Sequence, residues 1–244
     1  MIELIDLTKR YGKTLAVDRL NLSVPRGEIF GFIGPNGAGK TTTIRMMGGT
    51  LSPTGGRVVI DGIDMADRPE EAKRRIGFIP DRPFLYEKLT GMEFMRFSAD
   101  LYGVGDGTFS ERAGGILKMF GLRDWSNDLV EAYSHGMKQR LIISAALLHE
   151  PRVVVVDEPM VGLDPIAIRM VKDILKGLAR EGTTIFMSTH TLSVAEDLCD
   201  RIGIIHRGSL IATGTTRELK RLAGVQEADL EAVFLRLTEE QELP

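Results

Sequence analysis

The octapeptide Gly34-Pro35-Asn36-Gly37-Ala38-Gly39-Lys40-Thr41 constrains this chain more than any other stretch, because of what flanks it. The apolar run Ile29 to Ile33 before it predicts a strand, and Thr42 to Met47 after it predicts a helix. Strand, glycine-rich turn and helix in that order form the setting a phosphate-binding loop requires. Glycines let the backbone curl so that successive N–H groups face an anion, and the N-terminus of the helix adds its dipole. Lys40 can then neutralise the charge on the β- and γ-phosphates, and Thr41 can offer its hydroxyl to Mg²⁺. The expectation is a nucleotide site built from Gly34, Pro35, Asn36, Gly37, Ala38, Gly39, Lys40, Thr41 and Thr42.

A second element is acidic. The four valines 153–156 predict a strand buried on both faces, and Asp157-Glu158-Pro159 stands at its end. In open parallel sheets ligands bind outside the carboxyl ends of the strands, which places this pair beside the phosphate loop. Asp157 is suited to hold a water on Mg²⁺, and Glu158 to polarise an attacking water. Further strand-like runs, Asn21 to Val24, Arg57 to Ile60 and Thr183 to Met187, alternate with helical stretches, as in an α/β protein with a largely parallel sheet. From about Pro83 to Glu150 the pattern turns helical, with polar turns at 103–107 and 121–127, which marks a subdomain inserted into the α/β core.

The formal net charge of -3 lacks the basic footprint of a nucleic-acid binder, so no nucleic-acid partner is expected. No apolar run reaches the roughly 18 to 20 residues that cross a bilayer, and Met1-Ile2-Glu3-Leu4 reads as a strand rather than a signal peptide. Cys199, the only cysteine, cannot form an internal disulfide and reads as a core residue in a reducing, cytoplasmic setting. His149 and His206 read as structural.

Between the two phosphate elements lies Tyr133-Ser134-His135-Gly136-Met137-Lys138-Gln139-Arg140, which opens an apolar helix over Leu141 to Leu148. This run resembles the signature motif of ATP-binding cassette proteins, with His135 and Met137 departing from the commonest form, LSGGQ. The resemblance extends over essentially the whole chain. It implies a P-loop nucleoside triphosphate hydrolase core of α/β class with a largely parallel sheet, N-terminal antiparallel β strands and an inserted helical subdomain. One nucleotide-binding domain would then cover 1–244, with a C-terminal helical tail from about 214.

The resemblance also implies roles. Ser134 and Gly136 would contact the γ-phosphate of ATP held by an opposite subunit, a task that suits a helix N-terminus. Tyr11 would stack on adenine, Asp164 would lie in a loop crossing the dimer interface, and His190 would reach the γ-phosphate. Where the family usually carries a glutamine on Mg²⁺, this chain has Asp81, which is shorter and negatively charged. The catalytic set expected is thus Glu158, His190 and Lys40, with Thr41, Asp157 and Asp81 toward the metal and ATP and Mg²⁺ as cofactors.

The partners implied are a second cassette subunit, identical or not, and a separate transmembrane permease that holds the chain at the inner face of the membrane. Within the family, the run from Ser134 to Arg140, the loop Leu163-Asp164-Pro165 and the ending Leu230 to Leu237 resemble ATPases of exporters with separate, small membrane subunits, often of the ABC-2 type. Asp81 through about Leu101, with Phe84, Leu85, Tyr86 and Leu89, is expected to transmit the nucleotide state to the permease. Soluble cassette ATPases of translation or DNA repair are the alternative, but their tandem cassettes, coiled-coil insertions and basic surfaces are not visible here.

Overall fold

The computed structural model describes residues 1–81, 84–225 and 229–239. The chain opens with β1 (Ile2–Tyr11) and β2 (Thr14–Val24), antiparallel neighbours that register shifts bend along their length. β3 (Ile29–Ile33) leads into the glycine-rich loop and α1 (Lys40–Met47), after which β4 (Gly55–Ile60) and β5 (Ile63–Asp64) return to the first sheet. That sheet is antiparallel in the order β2-β1-β4-β5.

α2 (Pro69–Arg74) and β6 (Ile76–Ile79) precede the helical excursion α3 (Gly91–Tyr102), α4 (Asp106–Met119) and α5 (His135–Leu147). The chain then alternates through β7 (Val153–Asp157), α6 (Pro165–Arg180), β8 (Thr184–Ser188), α7 (Leu192–Leu198), β9 (Arg201–His206) and β10 (Ser209–Gly214), and ends in α8 (Thr216–Leu222) and α9 (Leu230–Glu239). The second sheet has the order β10-β9-β3-β8-β7-β6, parallel throughout except for the antiparallel β10.

Burial explains the order. Val153 and Val155 pack toward the antiparallel sheet with Phe30, Phe32 and Phe186, whereas Val154 and Val156 pack toward α5 and α6 with Leu141, Val171 and Leu175. A strand buried on both faces must lie inside a layered sheet, and β7 and β8 are buried at every residue. Ile33, Ile202 and Ile204 form a third apolar group that seats α7, α8 and α9 on β9.

Local chemistry sets the helix starts. Thr90 and Glu93 form a capping box at α3, and Ser134 accepts the Met137 N–H at 3.3 Å at the start of α5. That cap starts α5 at His135 rather than at Leu141, where the apolar run begins. The turn expected over 103–107 is shorter, because α4 already begins at Asp106, and β8 runs to Ser188 rather than ending at Met187. Pro83, the expected start of the inserted subdomain, and 226–228 and 240–244 of the expected tail lie outside the described residues. Among the described residues no helix is long and apolar enough to cross a membrane.

Candidate active site

Backbone packing shapes the loop between β3 and α1. Gly39 has φ +111°, and a Cβ there would stand 2.5 Å from the Ala16 carbonyl oxygen, so β2 presses against the loop where only hydrogen fits. Gly37, at φ +78°, has open space where its Cβ would be, so its backbone faces the cavity. Ala38 is held on both sides, its N–H donating to the Pro35 carbonyl at 3.2 Å and its carbonyl accepting the Gly208 N–H at 2.9 Å. α1 has no side-chain cap and no acidic residue in its first turn. Its first amides and its dipole are therefore free to receive an anion.

Lys40 is buried, and its Nζ donates to the Gly34 and Pro35 carbonyls at 2.6 and 3.0 Å. Burial lowers its pKa from the usual lysine value, while Glu158 and Asp157 pull in the opposite direction. An ammonium with three donors, two of them on carbonyls, suits a phosphate that would bring the countercharge.

The carboxylates come from the end of β7. Asp157 is buried; its Oδ2 accepts the Thr41 hydroxyl at 3.1 Å and its Oδ1 accepts the Ser188 hydroxyl. Parallel pairing sets Asp157 opposite Ser188. Glu158 has φ +54°, a conformation uncommon outside glycine and one that concentrates at functional sites. Its N–H donates to the Ser188 carbonyl at 3.1 Å. Its Oε1 accepts the His190 N–H at 2.9 Å and lies 2.7 Å from His190 Nδ1, while Oε2 accepts the Thr189 hydroxyl at 3.2 Å. The strained turn thus aims the carboxylate across the sheet edge at the loop after β8.

Lys40, Thr41, Thr42, Asn36, Gly37 and Gly39 share one cavity of about 440 Å³ with Asp81, Asp157, Glu158 and His190. Thr41, Asp81 and Asp157 continue into an adjoining space of about 320 Å³. The donors there are a hydroxyl and carboxylates, hard oxygens that suit Mg²⁺, and among the described residues no three or more His, Cys, Asp or Glu side chains are placed to hold a metal ion by themselves. That fits an ion which keeps waters and shares phosphate oxygens rather than one caged by protein.

The other expected residues lie elsewhere. Tyr11 ends β1, exposed, with Lys9 Nζ 5.3 Å from its ring centroid, and it is not among the described residues lining the cavity. Ser134 is exposed at the start of α5, with Gly136 half-buried in the first turn; a Cβ on Gly136 would come 3.2 Å from the Gly162 carbonyl. Asp164 caps α6, its Oδ1 accepting the Ala167 N–H at 2.8 Å. Ser188 and Thr189, whose hydroxyls hold the two carboxylates, were not singled out from the sequence. The signal was the Ser-Thr-His run at the end of a strand, where only His190 drew a role.

Known proteins resemble this chain in sequence and fold. A family model described as ABC transporter matches residues 17–161. The chain is 44% identical over 212 residues to the bacitracin transport ATP-binding protein BcrA of Bacillus licheniformis, covering 86% of this chain and 68% of that protein. A solved structure of the ATP binding subunit of an ABC transporter superposes with a TM-score of 0.92 at 36% identity, over 98% of this chain and 99% of that one. The ATP-binding cassette MJ0796, solved as a dimer in a post-hydrolysis state bound to ADP and Pi, gives a TM-score of 0.77 at 27% identity, over 88% and 98%.

Proposed function

This chain belongs to the ABC transporter family, and from that premise we propose that it is the ATP-hydrolysing subunit of an ABC-2 type exporter. It works at the cytoplasmic face of a membrane beside a separate transmembrane permease. The observation that carries the reading is the single cavity in which the phosphate loop, Asp157, Glu158 and His190 converge.

The amides of the loop and of the first turn of α1 bind the phosphates, and Lys40 turns from carbonyl partners to the β/γ charge. Thr41 and Asp157, with Asp81 beside them, would hold Mg²⁺, which when bound with the nucleotide would neutralise phosphate charge. Glu158 accepts a hydrogen bond from the attacking water and draws off its proton as the water adds to the γ-phosphorus and the bond to ADP breaks. His190, tied to the same carboxylate, reaches the departing phosphate. Tyr11 stacks on adenine.

Ser134 and Gly136 lie outside this cavity, which supports a second copy or a related cassette as the source of the remaining γ-phosphate contacts. Asp164 lies in the loop at that interface. ATP then drives closure because it touches both subunits when closed and one when open. A groove of about 1160 Å³ lined by Phe84, Leu85, Tyr86, Leu89 and Phe97 extends to Asp81 and Glu158, and it is the surface through which the permease senses that cycle.

Phosphate release from ATP by the purified protein tests the reading. Lys40→Ala and Glu158→Gln are each expected to lower turnover on the order of 10²-fold or more. Wild-type turnover in Glu158→Gln would remove that residue from its role. ATP binding without turnover in the wild type would instead favour a nucleotide-regulated binding module.

A further inference from the structure

The last residue of β8 and the one after it each hold one of the two carboxylates. Ser188 and Thr189 are fully buried, Ser188 donating to Asp157 and Thr189 to Glu158 Oε2 at 3.2 Å. The Thr189 oxygen also accepts the Thr191 N–H at 3.0 Å. A hydroxyl carries one proton, and since the Thr191 amide is itself a donor, that proton is left for the carboxylate.

We propose that Thr189 is a positioning residue for hydrolysis, its hydroxyl aiming Glu158 and tying it to the loop that carries His190. The proposal rests on reading Glu158 as the group that polarises water. Such a group must stay within about 2.6–3.2 Å of the oxygen whose proton it takes. Glutamate has a long side chain, and only its Oε1 is reached from His190. The contact at Oε2 therefore sets the rotation of the carboxylate plane. Threonine suits this task, because its β-branch leaves few χ1 positions and its backbone is fixed by the strand end. The Oγ1–Oε2 separation of 3.2 Å lies just beyond the usual range of about 2.5–3.0 Å for a hydroxyl donor, which argues for a moderate effect rather than an all-or-none one.

Thr189→Val keeps the shape and removes the hydroxyl, and Thr189→Ser keeps the hydroxyl and removes the methyl. Steady-state phosphate release and binding of a fluorescent ATP analogue are measured for both, with folding checked by the thermal transition. The expected result for Thr189→Val is a kcat about 10-fold lower, with KM and nucleotide affinity changed by no more than about twofold. Thr189→Ser restores most of the lost kcat. Thr189→Ala carries the same expectation as Thr189→Val and replaces it if that variant does not fold.

Wild-type kcat in the hydroxyl-less variants overturns the proposal. So does a Thr189→Ser as slow as Thr189→Val, because the hydroxyl would then not be the agent, and so does a loss shared equally with nucleotide affinity. Glu158→Gln run in parallel separates the two readings. If it turns over like wild type, the role of Glu158 fails and the proposal fails with it. If it is inactive while Thr189→Val is unimpaired, only the proposal fails.

Discussion

Lys40 carries its charge into a buried place whose partners are backbone carbonyls, and burial lowers its pKa from the usual value. A buried ammonium without a carboxylate in contact is costly in the absence of nucleotide. Lys40→Met, of similar reach, is therefore expected to leave the melting temperature of the nucleotide-free protein unchanged or higher, while removing turnover and the further stabilisation that ATP confers on wild type. A thermal melt with and without Mg²⁺ and ATP checks both halves. His149 shows the opposite use of burial. Its ring stacks on Tyr102 at 3.7 Å, its Nε2 lies 3.1 Å from the Ile76 carbonyl oxygen, and burial holds its pKa down to about 4 from the usual 6.5. The folded state keeps this imidazole neutral where the unfolded chain protonates it. Its contribution is thus complete above pH 6.5 and is lost as the pH falls toward 4, by an amount on the order of 3 kcal/mol at most. The melting temperature is expected to drop between pH 7.5 and 5, and to drop less in His149→Phe, which keeps a ring but cannot titrate.

At the scale of an element, the N-terminus of α5 has two separable jobs. Ser134 caps it through Met137, and loss of such a cap costs about 1 kcal/mol. The same hydroxyl and the first-turn amides are the groups proposed to meet the γ-phosphate of a neighbouring subunit. Ser134→Asp separates the jobs, since aspartate caps as well as serine but sets a negative charge where a phosphate would arrive. Unfolding by urea is expected to show unchanged or slightly higher stability, and a phosphate-release assay a loss of turnover on the order of 10-fold or more. Retained turnover would mean that the start of α5 is an ordinary capped helix. The loop after Glu158 lies directly on this helix, for a Cβ at Gly162 would fall 1.9 Å from His135 Cδ2. The turn at 162 and the start of α5 are therefore packed directly against each other, with no room for a side chain between them.

For the molecule as a whole, a site divided between two copies predicts that association follows the nucleotide. Glu158→Gln protein is expected to dimerise with ATP and far less with ADP, which lacks the phosphate that Ser134 and Gly136 would grip; light scattering reads the difference. A Glu158→Gln monomer at saturating ATP would count against shared sites made from identical copies. The groove beside Asp81 gives a second whole-molecule test. Phe84 is 77% exposed and meets Tyr86 edge-on at 5.1 Å, so the pair offers apolar surface to a partner at little cost to the core. Phe84→Asp is expected to weaken co-purification with the permease while phosphate release by the isolated subunit stays near wild type. Equal recovery of the complex with such charged substitutions would move the coupling surface elsewhere.

The setting of the candidate site was legible wherever it is local. Gly34 to Thr41 between a strand and a helix, Asp157-Glu158 after four valines, and Ser134 ahead of an apolar helix each show their structural setting within a few residues, because backbone curl, strand burial and helix capping are short-range effects. The both-sided burial of the valine strand was also readable, since an unbroken β-branched run leaves no polar face. What hydroxyls and rings do across the fold was not. Ser188 grips Asp157 and Thr189 grips Glu158 across 31 residues of sequence, only because β7 and β8 pair in parallel with Asp157 opposite Ser188. Ala16 crowds Gly39, and Tyr102 covers His149, for the same kind of reason. Strand order and register follow from how two apolar faces are shared among layers, a choice made by the whole core at once. The sequence alone marked the candidate reacting groups; the tertiary structure decided which neighbours hold them, because that depends on contacts between segments that local pattern does not encode.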